Sequence, residues 1–422
     1  MAKRVFIGLM AMVLFFGLAT TAMAYSIRDD ATGGDCTQIG VWDAGTKTCT
    51  LTRDLYNLTE GFVIDSDGIT FDGNGHSIIG TGFGSIGIQL SGRKNVTVEN
   101  LIVTQFEYEI ILLWSSDNII AYNTIENSSH SGIVLGGYSH NNIVVNNNSM
   151  FHRWFGIYVG NSYSNTLSNN TLANNQYGVR FGMAETNMLA DNSIEGNNYG
   201  VDFDNSDNNI VTGNTIHSGG IGIALAQYSA GNKFYNNHVN TPYYVAISVW
   251  SYANNNVFYN NNILSGGGGV GCGRNAGNNI FSLDAPIGGN YWNTYDASEE
   301  GCNDANNDGF CDSSYTTCNG IDYYPWTKQD GWVTPDKLIS SLTTEVSALL
   351  SSGAITSPGV ATSLTSTLEN ALFAFEQGNA QAAENMLQAF INKVEAQTGK
   401  QITAEAAAIL IEAAKQIINK MQ

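Results

Sequence analysis

Two consecutive stretches decide the fold: Asn165-Thr166-Leu167-Ser168-Asn169-Asn170-Thr171-Leu172, closing on Tyr177-Gly178-Val179-Arg180-Phe181, and Asn187-Met188-Leu189-Ala190-Asp191-Asn192-Ser193-Ile194, closing on Tyr199-Gly200-Val201-Asp202-Phe203. The second repeats the first at an interval of 22 residues. Working outward, Asn precedes an apolar pair at Asn95, Asn118, Asn142, Asn165, Asn187, Asn209, Asn232, Asn256 and Asn279, with gaps of 22 to 24. A second Asn follows five residues on, from Asn100 and Asn123 to Asn237 and Asn261. A third column runs Gly87, Glu109, Gly132, Gly156, Gly178, Gly200, Gly222, Ala246 and Gly269. Such self-similarity marks a repeat architecture.

Within each copy, apolar and polar positions alternate, as in Ile86-Gly87-Ile88-Gln89-Leu90, which is the period of a half-buried strand. A repeat of about 23 residues is too short for a four-stranded propeller blade and lacks the leucine-rich pattern. The remaining solution is a mainly β chain, a right-handed parallel β-helix of about nine coils of 22–24 residues, stacked ~4.8 Å apart. Asn tolerates left-handed backbone at the corners, and its amide can hydrogen-bond along the axis, so both Asn columns are read as structural. Tyr108, Phe155, Tyr177 and Tyr199 precede the glycine column and are expected to stack inside the β-helix.

The ends carry other signals. Lys3 and Arg4, an apolar run from Val5 to Leu18 and Ala22-Met23-Ala24 predict a signal peptide over residues 1–24, with a mature start near Tyr25. No Cys follows that point, which argues against a lipid anchor, and no second long apolar run predicts a membrane span. Removing the segment leaves 15 basic against 37 acidic residues, a net charge of −22, which disfavours nucleic acid and favours cations or basic partners. Residues 25–67 read as an N-terminal cap, 68–284 as the β-helix and 285–333 as a Cys- and aromatic-rich second cap. Cys36 and Cys49 lie at one end, and Cys272, Cys302, Cys311 and Cys318 cluster at the other. In a secreted, cell-surface or periplasmic setting these predict disulfides of open connectivity; no CxxC spacing supports zinc. Over residues 334–422 the composition turns to Ala, Leu, Gln and Ser, with helix starts at Thr334-Pro335, Ser357-Pro358 and Thr403 and a break at Gly378-Asn379. Four α-helices of about 16 to 20 residues forming a small bundle are expected.

From Gly68 to about Trp326 the chain resembles the NosD-like branch of parallel β-helix proteins, also called carbohydrate-binding and sugar-hydrolysis domains. The coil pattern carries the resemblance, with Gly289-Asn290-Tyr291-Trp292, Asn307-Asp308-Gly309 and Asp322-Tyr323-Tyr324-Pro325-Trp326. It implies export and, for many members, polysaccharide binding or processing; for the namesake it implies maturation of a copper site. The last 80 or so residues, with Phe390-Ile391-Asn392-Lys393-Val394, are similar to the FIMAH domain found at the ends of exported bacterial hydrolases. That similarity implies no reaction and points to an envelope or protein partner.

If the positions two before, at, two after and four after the glycine column face outward, two patches emerge. The first joins Glu107, Glu109 and His130 with Trp154 and Tyr158. Carboxylates one alternation apart are ~6.6 Å apart at Cα, a separation that suits an inverting glycosidase, and Trp154 offers a platform for a sugar ring; the alternative is that Glu107, Glu109 and His130 are ordinary solvated charges on a polar face. The second patch places Arg180, Asp202 and Asp204 together, either as the base of a calcium-assisted polysaccharide lyase or as a surface ion pair. In the far cap, Asp304, Asn306, Asp308 and Asp312 stand at positions 1, 3, 5 and 9 of a loop with Gly309 at position 6, the spacing of a structural calcium site; Tyr315 replaces the usual Glu at position 12. Copper would need converging ligands, whereas His76, His130, His140, His152, His217 and His238 fall mostly in different columns. The resulting expectation is an exported β-helix that binds, and in one version hydrolyses, an extracellular polysaccharide. The alternative is a non-catalytic cell-surface or adhesion spacer.

Overall fold

The computed structural model describes residues 24–250, 252–273 and 277–421, so the expected signal peptide falls outside the described residues save for Ala24. The chain winds about ten turns of parallel β-helix and ends in helices. Each full turn has three short strands. The first face runs through Thr97–Glu99, Ile119–Ala121, Ile143–Val145, Thr166–Ser168, Met188–Ala190 and Ile210–Thr212, in parallel register. The second runs through Ile102–Thr104, Thr124–Glu126, Asn148–Met150 and Thr171–Ala173. The third and widest runs through Ile86–Ser91, Tyr108–Leu113, Ser131–Gly136, Phe155–Gly160 and Tyr177–Gly182, then along the ends of Ser193–Asp204 and Thr215–Leu225 to Ile247–Val249. Parallel pairing starts ahead of residue 68: Thr48–Leu51 joins Thr70–Asp72, and Phe62–Ile64 joins Ile86–Ser91.

One inward residue per strand fills the first two faces, as with Val98, Ile120, Val144 and Leu167, all fully buried. Phe181, Phe203, Phe234, Phe258 and Phe281 thread the interior toward Trp292, mostly as parallel stacks with centroids 4.6–5.1 Å apart. Apolar stacking of this kind is the main source of stability in a solenoid, where each turn touches only its neighbours.

The corners explain the Asn columns. Residues in left-handed conformation (Asp117, Asn141, Ser164, Thr186, Asn208) each precede a buried Asn of one ladder (Asn118, Asn142, Asn165, Asn187, Asn209). A parallel set (Tyr122, Asn146, Asn169, Asp191) precedes Asn123, Asn147, Asn170 and Asn192. Each ladder Asn donates its Nδ2 to the Oδ1 of the next coil and to a backbone carbonyl of the coil before, while its Oδ1 accepts the backbone N–H of the preceding ladder Asn. The turn and the ladder are thus two adjacent residues rather than one. Asn95 and Asn100 belong to the left-handed set, with φ of 55° and 56°; the ladders open one residue later, where Val96 and Leu101 donate to Asn118 and Asn123. At the far end, Asn261 bonds Asn290, which donates to the buried Asp322. Burial pushes the Asp322 carboxyl up to about 7 against those hydrogen bonds.

Three disulfides join Cys36 to Cys49, Cys272 to Cys318 and Cys302 to Cys311, so all six cysteines are paired, two bridges pinning the far cap. The short helix α1 (Cys36–Ile39) lies in the first cap. The C-terminal bundle comprises α2 (Pro335–Ser351), α3 (Pro358–Glu376), α4 (Ala380–Gln397) and α5 (Ala404–Met421), whose starts follow the Thr-Pro, Ser-Pro, Asn and Thr signals. Their apolar stripes meet in one core of Leu342, Leu364, Leu368, Leu387, Phe390, Leu410 and neighbours. Lys420 near the end of α5 donates to the Asp330 and Val333 carbonyls, tying the bundle to the segment leaving the cap. No described helix is long and apolar enough to cross a membrane.

Candidate functional site

The third face is where the expected residues gather, but its register differs from strict alternation. Strand pairing skips the glycine column, linking Tyr177 to Tyr199 and Val179 to Val201, so column and following residue both turn inward. A Cβ at Gly178 would sit 2.5 Å from Ile194 and 2.7 Å from the Gly200 carbonyl, both of the next coil, which is why the column is mostly glycine. The outward positions are therefore the two residues before it, two after and four after it.

This bend overturns two expectations. The aromatic column faces out rather than in: Tyr108, His130, Phe155, Tyr177 and Tyr199 form a half-buried stack along the edge, with centroids 4.7–5.9 Å apart. Glu109, in the glycine column, is inside the β-helix and fully buried. Phe106 donates its backbone N–H to Oε1 at 3.1 Å, and burial pushes the carboxyl up to about 8. Glu107 stays outside and accepts from the Gly84 amide, while His130 bonds Ser131. The pair Glu107 and Glu109 lie on opposite sides of the sheet, so they cannot flank one glycosidic bond. Trp154 is 40% exposed, with the Arg153 guanidinium 6.0 Å from its ring.

The second patch does converge. Tyr158, Arg180 and Asp202 are register neighbours on successive strands, with Asp204 two residues beyond Asp202. Arg180 places Nη1 2.9 Å from Asp202 and donates Nη2 to Asp204 at 2.9 Å. The first contact is charge to charge without hydrogen-bond alignment, the second a hydrogen bond. The guanidinium also lies 5.3 Å from the Tyr177 ring centroid. Asp202 is only 5% exposed, and its carboxyl is pushed up to about 6, chiefly by burial and then by Asp204, with Arg180 pulling the other way. Tyr158 lies flat over Gly160 and Gly182, where any Cβ would meet its ring or hydroxyl at 2.6 to 2.9 Å. The glycine floor under Tyr158 and the buried acid next to a cation set this patch apart from the Glu107 patch. Burial and the neighbouring carboxylate raise the Asp202 carboxyl to about 6, closer to the range an acid–base group requires than an ordinary carboxylate.

Elsewhere lie the calcium-like loop and the scattered histidines. In the calcium-like loop, Asp304 accepts from the Asp308 and Gly309 amides, Asn306 from Asp308, Asp308 from Phe310 and Asp312 from Ala305. The loop thus satisfies its own amides. Among the described residues, no three His, Cys, Asp or Glu side chains group as a metal site. His152 is interior, bonded to Ser128 and Ser149; His140 stacks on Tyr163; His76 pairs with Asp54. These residues do not fit a copper centre. The spacing-based reading also passed over exposed aromatics at the corner leaving this face: Trp114, Tyr138, Tyr228 and Tyr252. Bulky residues at left-handed corner positions were the signal that marks them.

Fold and site together define an end-capped parallel β-helix with one aromatic-edged, charge-bearing face. Residues 61–246 match the model for the periplasmic copper-binding protein (NosD) family, and residues 339–419 match that of the FIMAH domain. The chain is a NosD-like parallel β-helix protein with a C-terminal FIMAH-type helical domain. No curated protein matches it. Solved structures similar to it include the periplasmic alginate epimerase AlgG, at 14% identity over 55% of this chain and 76% of that one, with a TM-score of 0.37. DFA-IIIase from Arthrobacter chlorophenolicus A6 matches at 14% identity, 53% and 63% coverage and a TM-score of 0.42. The Dettilon tailspike protein matches at 16% identity, 53% and 61% coverage and a TM-score of 0.42. The chain thus spans less than two thirds of the last two, and at such identities nothing about reaction or ligand transfers.

Proposed function

We propose that the protein is exported and binds an extracellular polysaccharide along the third face, centred on Tyr158, Arg180, Asp202 and Asp204. The observation that carries this reading is Asp202. A carboxyl almost wholly buried on an outward-facing position, next to a second carboxylate and a cation, is costly to keep and is better suited to a polar ligand than to the fold. Binding comes first in this reading. If the bound glycan is also cleaved, Asp202 and Asp204 are two carboxylates on one side of the sheet able to share the work, Asp202 as the proton donor and Asp204 as the second carboxyl group.

The helical domain is proposed to hold the protein to an envelope or protein partner, and the loop Asp304–Asp312 to bind calcium as a brace for the far cap. The spacer reading rests on the other two faces, whose outward positions carry mainly Thr, Ser, Asn and aliphatic residues. Affinity electrophoresis through gels cast with neutral or acidic polysaccharides separates the two. Retardation that disappears in Asp204→Ala supports the proposal, and free migration in every gel leaves the spacer.

A further inference from the structure

Resting on that reading, we infer that the polysaccharide is a neutral one whose chain runs parallel to the β-helix axis, seated on two aromatic stations that flank the charge cluster: Trp114 with Tyr138, and Tyr228 with Tyr252. Six described non-glycine positions put an aromatic residue in the left-handed region, and four of them occupy this one corner: Trp114 at φ 51°, Tyr138 at 66°, Tyr228 at 60° and Tyr252 at 66°. Tyr122 and Phe151 are the other two, one at each remaining corner. Intervening coils fill the same column with Asn161, Met183 and Asn205, at φ 49°, 53° and 51°, so the turn is made without an aromatic ring on all three. An aromatic ring held at a left-handed position carries a backbone cost, and here it leaves each of the four residues 45–64% exposed.

The rings are arranged as platforms. Trp114 lies against Gly137 of the next coil, and Tyr228 and Tyr252 stack with centroids 5.1 Å apart and planes 5° from parallel. Both stations lie along the edge that also carries the cluster, since the corner column adjoins the strand ends at Gly182 and Asp204, where Met183 donates to the Asp204 carbonyl. In the ladder of the third face, Trp114 follows the strand Tyr108–Leu113 and Tyr252 follows Ile247–Val249, six steps later, with Arg180 and Asp202 midway. Six steps span ~29 Å. One step is close to the length of one pyranose unit, so a chain of about six sugars laid along the axis reaches both stations and crosses the cluster between them.

Charge decides the class of glycan. Between residues 95 and 232 the sequence holds eleven acidic residues, of which Glu109 is interior and Glu107, Asp202 and Asp204 face outward on the third face, against two cations, Arg153 and Arg180. Arg180 is already committed to two carboxylates, leaving its cluster net negative, and Arg153 sits by Trp154 at the opposite edge. A uronate or sulfated chain would meet repulsion at the cluster from Asp202 and Asp204, whereas a neutral chain stacks through its C–H faces and hydrogen-bonds to the carboxylates.

The test uses the full mature chain with neutral β-linked gluco- and manno-oligosaccharides of increasing length, and oligogalacturonates as the acidic arm, followed by calorimetry at low and moderate salt. Affinity for a neutral series should rise to about six units and then level off, with little salt dependence. The double variants Trp114→Asn/Tyr138→Asn and Tyr228→Asn/Tyr252→Asn should each weaken the hexamer about tenfold or more while leaving the trimer's best mode less affected. Because Asn is the residue other coils use there, thermal stability should hold or rise, so lost binding cannot be ascribed to misfolding. Tighter binding of oligogalacturonates, or neutral binding indifferent to length and to all four substitutions, overturns the inference while the polysaccharide reading stands. No binding to either class overturns both.

Discussion

Asn192→Ala tests whether the Asn ladder holds the coils together. The Asn192 Oδ1 accepts from the Asn170 backbone N–H at 2.9 Å and from Asn170 Nδ2 at 3.0 Å. Its own Nδ2 donates to Asn214 Oδ1, the Leu167 carbonyl and the Ala190 carbonyl at 2.9, 3.0 and 2.9 Å. The site is 2% exposed, so truncation leaves the Asn170 N–H buried without an acceptor, at about 1–3 kcal/mol, and weakens several further bonds; the sum is about 3–5 kcal/mol. The neighbouring turn position supplies the contrast. Asn169, exposed with φ 54°, should cost only about 1–2 kcal/mol as Asn169→Ala, through left-handed backbone alone. Urea denaturation with disulfides intact, followed by tryptophan fluorescence and far-ultraviolet circular dichroism, measures both. An Asn192→Ala cost at or below that of Asn169→Ala would refute the ladder as a source of stability.

Glu109→Gln should stabilise the protein at alkaline but not at acidic pH. A folded pKa raised from 4.5 to about 8 contributes stability that is complete below pH 4.5 and lost as pH rises through 8, and Gln removes that loss, so the variant's Tm should exceed the parent's at pH 9 and match it at pH 4. Asp202 has the same sign: its contribution falls away as pH rises from 3.8 through about 6, so Asp202→Asn should flatten the pH dependence of Tm over that window. Arg180→Ala strands a buried carboxyl beside Asp204 and should raise the Asp202 pKa further, which carbon-13 carboxyl NMR would register as a later titration; an unchanged midpoint would mean the 2.9 Å contact carries little energy. Calcium should raise Tm by a few degrees, and Asp304→Asn should abolish the rise; equal Tm with calcium and with chelator would remove calcium from the far cap.

Much of the architecture could be read from the sequence because a solenoid writes its period into every coil. Asn118 to Asn279 fixed the repeat, and the helix starts at Pro335 and Pro358 were legible as capping signals. The site was only half legible. A register counted by two fails where backbone bends, and the bend at the glycine column sent Glu109 inward and the Tyr177 stack outward. Tyr177-Gly178-Val179 has no polar member to show which residues share a side, and only the smallness of Gly178 hints that it faces packed atoms. Arg180 and Asp202 survived because they lie beyond the bend, where alternation resumes. The Asn columns misled by one residue at their start: Asn serves both as turn former and as ladder rung, and only the backbone separates Asn95 from the position of Val96.

The most direct test of the central claim is a binding and turnover survey of the mature protein on neutral and acidic polysaccharides, run beside the double variant Arg180→Ala/Asp202→Asn. The account predicts retention on at least one polysaccharide that the double variant loses, with any released product lost as well. Equal retention by both proteins, or none by either, would contradict the placement of function on the third face.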